Sequence, residues 1–200
     1  MSSPWLTDPI SPRESLQGEQ RCSIIILGGG LVGVAAAYFL SREGCDVALV
    51  EKGSLGTGAT GRSTGFLLSG IHHYYSKSKE IHGPQKTKTI WELTRQNHAL
   101  LEEVIRLENL SCDYQKTGSY RAASSEAEAK VLQESAEQLE RDRVAVERRS
   151  LPGFPEAFFS PEDALFHPVK FVRELAWVAE KNGARIFEKS KVESVHDALV

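Results

Sequence analysis

Three consecutive glycines separate Ile24-Ile25-Ile26-Leu27 from an alanine-rich apolar stretch that starts at Leu31 and runs to Leu40. Together these make 17 consecutive uncharged, mostly apolar residues, Ile24 to Leu40, close to the lower limit for a membrane-spanning helix. A triple glycine is a poor helix interior, whereas a β-branched run before it and an Ala-rich run after it read as strand, turn and helix. The order Gly28-Gly29-Gly30-Leu31-Val32-Gly33 satisfies G-x-G-x-x-G in the setting that gives the pattern meaning, a strand before and a helix after. The first glycine permits a tight turn. The second lets a pyrophosphate approach the backbone, and the third lets helix and strand pack closely, while the free amides of the helix N-terminus face the anion. Strand 1 is expected over Cys22–Leu27, the helix over Leu31–Glu43 with Gly44 as its stop, and strand 2 over Asp46–Glu51. Glu51 then ends strand 2, 18 residues after Gly33 (51 − 33), where an acid can accept hydrogen bonds from an adenosine ribose.

Charge excludes several other functions. The 24 basic and 27 acidic residues leave a formal net charge of −3, without the basic excess of a nucleic-acid binder. Charged residues at 26% and hydrophobic ones at 40% exclude both wholesale disorder and a membrane bundle. Cys22, Cys45 and Cys112 match neither a zinc site nor a disulfide framework, so free thiols in a reducing, cytoplasmic compartment are expected. Met1–Gln20 carries three acids and three prolines and reads as a flexible extension, not a leader.

Between Lys52 and Gly70 the composition shifts to Gly, Ser and Thr, a loop whose backbone approaches something closely. A long helix is expected over Pro84–Asn109, short strands over Cys112–Gln115 and Ser119–Ala123, and a polar helix from the capping pair Ser125 and Glu128 to about Glu140. Val144 and Val146 alternate with polar residues as in a half-exposed strand. Pro168 opens a helix that ends at Lys181, and strands over Ala184–Glu188 and Lys191–Val195 follow. The chain divides accordingly into a tail (1–20), the first part of a nucleotide-binding domain (21–111), a partial second domain (112–160) and a return to the first (161–200).

The glycine pattern serves both NAD and FAD. The second glycine-rich stretch, GATGRSTG from Gly58 to Gly65, separates them. The combination of GGGLVG, VEKG and GATGRSTGFLLSG resembles the FAD-dependent oxidoreductases of the D-amino-acid oxidase, glycine oxidase and sarcosine oxidase superfamily, whose loop after strand 2 commonly reads close to GASGRNAG. The run from His167 to Val195 is similar to the segment in which a helix of that family leads into strands that complete the adenine site. The resemblance implies an α/β fold, with a Rossmann-like FAD-binding βαβ core and part of a mixed α+β substrate domain. It implies Gly28, Gly30, Leu31, Val32 and Gly33 at the pyrophosphate, Glu51 and Lys52 at the adenosine, Thr60, Gly61, Arg62 and Ser63 near the phosphates or flavin ring, and Val192 against adenine. Thr60 and Ser63 depart from the commonest Ser and Asn. Hydroxyls, free amides and one guanidinium in a tight loop also suit a phosphate on their own chemistry.

The resemblance implies an enzyme that oxidises the C–N bond of a small amine or amino acid by hydride transfer to flavin. A non-catalytic FAD- or nucleotide-binding fragment or assembly subunit and an NAD-dependent dehydrogenase are the alternatives. Because relatives of this architecture are about twice as long, self-association or a complementing chain is expected, and turnover by these residues alone is not. With Arg62-Ser63 at the centre of the loop, FAD is expected to be noncovalent. His72 and His73, expected on opposite faces of a strand, do not chelate a metal together, and no metal site is expected. His167 is expected to serve helix entry, and no residue is singled out as catalytic.

Overall fold

The computed structural model describes residues 3–7 and 12–195. These residues form two compact units, each built from separate chain segments: one from Met1–Gly65, Ile105–Asp113 and His167–Val200, the other from Phe66–Val104 and Tyr114–Phe166.

The first unit is built on a βαβ arrangement. β1 (Ile24–Leu27), β2 (Val47–Val50) and a late strand, Arg185–Phe187, form a parallel sheet with β2 in the middle. Ile24 pairs with Val47, and Ala48 pairs with Arg185. All four β2 residues are buried, as an apolar run at the centre of a parallel sheet requires. β1 alternates instead, leaving Ile25 and Leu27 about half exposed (52% and 49%) on a strand that pairs on one side only among the described residues. α1 (Leu31–Arg42) returns the chain from β1 to β2 and packs against the helix Pro168–Lys181.

The tail read as a flexible extension is tied down wherever it is described. The Trp5 indole donates to the Ser63 carbonyl at 2.8 Å, and the Arg13 guanidinium makes two 2.7 Å bonds to Glu180. The Leu16 amide donates to Ser190 Oγ at 2.8 Å. Residues 8–11 lie outside the described residues.

In the second unit, β3 (Phe66–Leu67) leads through a loop into α2 (Tyr75–His82) and α3 (Pro84–Leu107), whose last residues group with the first unit. β4 (Ser119–Ala122), α4 (Glu126–Arg141), β5 (Glu147–Arg148), β6 (Ala157–Ser160) and β7 (Ala164–Leu165) follow. β6 lies between β4 and β5 in an antiparallel sheet, and β3 pairs with β7. The core joins Tyr75 and Trp91 to Leu132, Ala136, Leu139 and Phe158. α5 (Pro168–Lys181) and β8 (Arg185–Phe187) complete the order in the first unit.

Several expectations change, among them the strand expected at Val144 and Val146, which begins only at Glu147. Cys112–Gln115 is not a strand, and only Gln115 makes a bridge, to Leu165. Lys191–Val195 carries no strand, since no ladder partner lies beside it among the described residues. α2 was not expected, because its apolar residues are too few to mark a period; it buries Tyr75, Ser76 and Ser78 instead. Phe66–Val104 groups with the second unit and not with the first βαβ segment, because its contacts are to β7 and α4. Among the described residues no helix is long and apolar enough to cross a membrane.

Candidate nucleotide site

The turn from β1 into α1 is held shut by backbone contacts that leave no room for side chains. Gly28 sits at φ +105°, a conformation that disfavours residues with a Cβ. At Gly33 a Cβ would lie 2.0 Å from the Gly28 carbonyl oxygen, so the first turn of the helix can rest on the turn only because this residue is glycine. Gly30 differs. Its φ is −84°, and an added Cβ would meet only Thr60 Oγ1, at a tight 3.3 Å, so packing within the protein restricts this position far less than it does Gly33.

Gly30 is the N-cap of α1 and supplies no side-chain cap. The Leu31 amide donates to Thr60 Oγ1 at 3.0 Å, and the helix's own ladder starts with the Val34 amide on the Gly30 carbonyl at 3.0 Å. The amides of Val32 and Gly33 are therefore the ones an α-helix leaves without an internal acceptor, at the positive end of its dipole.

Glu51, at the end of β2, turns its carboxylate back to this turn. Oε2 accepts the Gly29 amide and Oε1 the Gly53 amide, both at 2.7 Å. It lines a cavity of about 500 Å³ with Gly28, Lys52 and Val192, floored by Leu27 and Val50 and closed by residues 190–195. Val192 reaches this cavity from extended chain and not from a strand.

The loop after β2 forms a 3-10 turn, Thr60–Arg62. Gly61 is buried, and the Ser63 hydroxyl donates to the Thr60 carbonyl at 2.9 Å. Arg62 folds onto its own loop, donating from Nη1 to the carbonyls of Thr57 and Gly58 at 2.8 and 2.9 Å. Two groups are thus brought together: Gly28, Glu51, Lys52 and Val192 at the cavity, and Gly30, Leu31, Val32 and Gly33 with Thr60 at the helix end. Arg62 and Ser63 are exposed beyond them.

Sequence reasoning missed Glu188. Its carboxylate is 1% exposed and accepts the Leu55 amide at 2.7 Å and the Arg13 amide at 3.0 Å, fixing the start of the glycine-rich loop from 133 residues away. The His72–His73 expectation is also corrected. The two lie in the loop before α2 with ring centroids 3.7 Å apart, not on opposite faces of a strand. Burial, and then His72, His82 and Lys77, lower the His73 pKa. Among the described residues no group of three His, Cys, Asp or Glu is arranged to hold a metal. His167 caps α5, its Nδ1 accepting the Lys170 amide at 3.2 Å.

A parallel βαβ unit with a glycine turn at the helix N-terminus and an acid at the end of the second strand defines a dinucleotide-binding protein. Residues 23–200 match the profile of the FAD-dependent oxidoreductase family known as DAO, and the chain belongs to that family. The γ-glutamylputrescine oxidoreductase of Escherichia coli is 24% identical over 195 residues, covering 92% of this chain and 46% of its own. The glycine oxidase of Bacillus licheniformis is 28% identical over 186 residues, covering 88% and 47%. The crystal structure of glycine oxidase from Geobacillus kaustophilus superposes with a TM-score of 0.73 at 22% identity, over 89% of this chain and 49% of that one. The chain thus spans about half the length of the relatives it matches.

The residues present fit the family's cofactor. FAD brings a pyrophosphate and an adenosine. The turn offers unpartnered amides at a helix N-terminus beside a glycine that its own packing restricts far less than Gly33, and the neighbouring cavity presents a carboxylate and an apolar floor.

Proposed function

We propose that this chain is the FAD-binding, N-terminal portion of an oxidoreductase that acts on a small amine or amino acid. The observation that carries the reading is the pairing of two features around one turn, the open helix N-terminus behind Gly30 and the Glu51 carboxylate facing the 500 Å³ cavity. On this reading the Val32 and Gly33 amides hold the pyrophosphate, Glu51 and Lys52 the ribose, and Val192 lies against the adenine. Glu51 already accepts two amides, and each carboxylate oxygen keeps a further lone pair for a ribose hydroxyl. Thr60, Gly61, Arg62 and Ser63 face the phosphates or the ring. FAD, when bound, supplies hydride acceptance from a C–H bond next to nitrogen. The chain's own part is to bind and orient.

Dialysing the purified chain with FAD and recording its visible spectrum tests the reading. Flavin bands at one cofactor per chain support it, and their absence overturns it. Acid precipitation is expected to leave the flavin in the supernatant, because no cysteine or histidine replaces Arg62-Ser63. Turnover by these residues alone is not expected: among the described residues β1 is open on one side, with Ile25 and Leu27 exposed, which suits pairing with further polypeptide.

A further inference from the structure

The segment before β1, which composition marks as a flexible extension, is fastened at two places to the loops that build the proposed cofactor site. The forward place is a short 3-10 turn, Pro4–Leu6. The Trp5 indole donates to the Ser63 carbonyl at 2.8 Å, and its ring packs edge-on against His167 with centroids 4.8 Å apart. Leu6 sits directly on Gly61, where an added Cβ would lie 3.0 Å from the Leu6 Cδ2 methyl. The tail thus bears on the Thr60–Arg62 turn, whose Thr60 hydroxyl takes the Leu31 amide at the start of α1.

The rear place is around Arg13. Its guanidinium makes two 2.7 Å bonds to Glu180 with the side chain only 17% exposed, and its amide donates to Glu188 Oε2 at 3.0 Å. The other oxygen of Glu188 accepts the Leu55 amide at 2.7 Å, so one buried carboxylate joins the tail to the glycine-rich loop. Leu55 is fully buried and fills the space over Gly29, where an added Cβ would lie 2.2 Å from the Leu55 Cδ2 methyl. The Leu16 amide donates to Ser190 Oγ at 2.8 Å, and the Ser190 amide to the Glu51 carbonyl at 2.9 Å. Ser190 and Glu51 line the cavity of about 500 Å³, and among the described residues no tail residue does.

No described residue of the tail is fully buried, so apolar burial is not what offsets the entropy of ordering it. The polar ties do that, and they hold only while the loops carrying Ser63, Glu188 and Ser190 are in place. We propose that the tail is a clasp for the cofactor site, with Trp5 and Arg13 as positioning residues. Closed, it keeps the Thr60–Arg62 turn against α1 and, through Glu188, Leu55 against the glycine turn. All of these residues belong to the first unit. The inference rests on the proposed function for the identity of the ligand, FAD. Binding linkage is reciprocal, so a clasp that strengthens FAD binding is itself held shut by bound FAD.

Trypsin reads the clasp. The Arg13–Glu14 bond is cut only when Arg13 leaves Glu180, so its cleavage follows the open population, and exposed Arg143 in the second unit serves as the reference site. With binding followed by flavin fluorescence in the same 200-residue chain, bound FAD is expected to slow cleavage at Arg13 about tenfold and to leave cleavage at Arg143 unchanged. Trp5→Ala and Arg13→Ala are each expected to weaken FAD binding about tenfold. Arg13→Lys should weaken it less, since an ammonium keeps the charge without the fork. FAD affinity unchanged in folded Trp5→Ala and Arg13→Ala, or cleavage at Arg13 indifferent to bound FAD, overturns the proposal. The wild-type digest decides the matter should either variant fail to fold. A chain that binds no FAD overturns the cofactor reading and this inference together, whereas FAD binding with an indifferent tail overturns this inference alone.

Discussion

The turn behind β1 and the junction around Asp163 both bring distant backbone segments together, and they do it by opposite chemistry. In the first unit side chains are deleted: Gly33 packs against the Gly28 carbonyl because there is no Cβ between them. In the second a charge is buried. Asp163, 3% exposed, gathers Ser69 and Ser119 on its carboxylate, while its carbonyl accepts the Gly118 amide at 2.8 Å. The glycine junction leaves the Val32 and Gly33 amides open to a ligand. A carboxylate junction uses its neighbours' donors up, which is why the first suits a phosphate and the second holds structure.

Gly33→Val should be the most damaging single change. A branched side chain cannot coexist with a carbonyl oxygen 2.0 Å from its Cβ, so a loss of more than about 3 kcal/mol of stability is expected in denaturant unfolding, with FAD binding lost as well. Near-normal stability would show that the turn is looser than drawn. Asp163→Ala leaves the Ser69 amide and two hydroxyls without their acceptor and should cost about 3 kcal/mol, the upper end for a hydrogen-bonded charged group. FAD titration of that variant sharpens the contrast: binding should survive, because the Asp163 partners among the described residues all belong to the second unit.

Glu51→Gln keeps the shape but not the charge, and replaces one acceptor oxygen with an amide nitrogen beside the Gly29 and Gly53 amides. FAD affinity should fall by roughly 1.5–3 kcal/mol. An unchanged dissociation constant would remove the ribose role. The smallest effect is one of pH. The Ser124 hydroxyl, then the Tyr74 hydroxyl and the Ser124 amide, pull the Glu128 pKa from 4.5 down to about 2. A depressed carboxylate stabilises the fold above its unfolded pKa. Its contribution at the start of α4 should therefore be intact at neutral pH and disappear as the pH falls from about 4.5 towards 2. Glu128→Gln should flatten that part of the acid profile, and an identical profile would contradict the assignment.

The same contrast explains what could be read in the sequence. Gly28, Gly33 and Glu51 act on residues close in the chain or at a strand end fixed by the βαβ period, so spacing alone locates them. Pro168 with His167, and Ser125 with Glu128, are likewise local caps. Glu188 and Asp163 are silent because their partners lie 133 and 94 residues away, and one acid in a sequence with 27 carries no mark of burial. α2 escaped because hydroxyls and a tyrosine, not an apolar stripe, form its buried face. Thr60 was placed near the phosphates by resemblance. The geometry adds that its hydroxyl takes the Leu31 amide, a duty no spacing rule would suggest.

Gly30 offers the most direct test of the central claim, that this turn is shaped for a ligand's phosphates more than by the protein's own packing. An added Cβ there meets only Thr60 Oγ1 at 3.3 Å. FAD should be titrated into wild type and Gly30→Val, with thermal unfolding of both followed in its absence. The account predicts one FAD per wild-type chain, and a variant that unfolds within a few degrees of wild type yet binds no FAD. A folded Gly30→Val that binds FAD as wild type does would show that the pyrophosphate does not approach this turn.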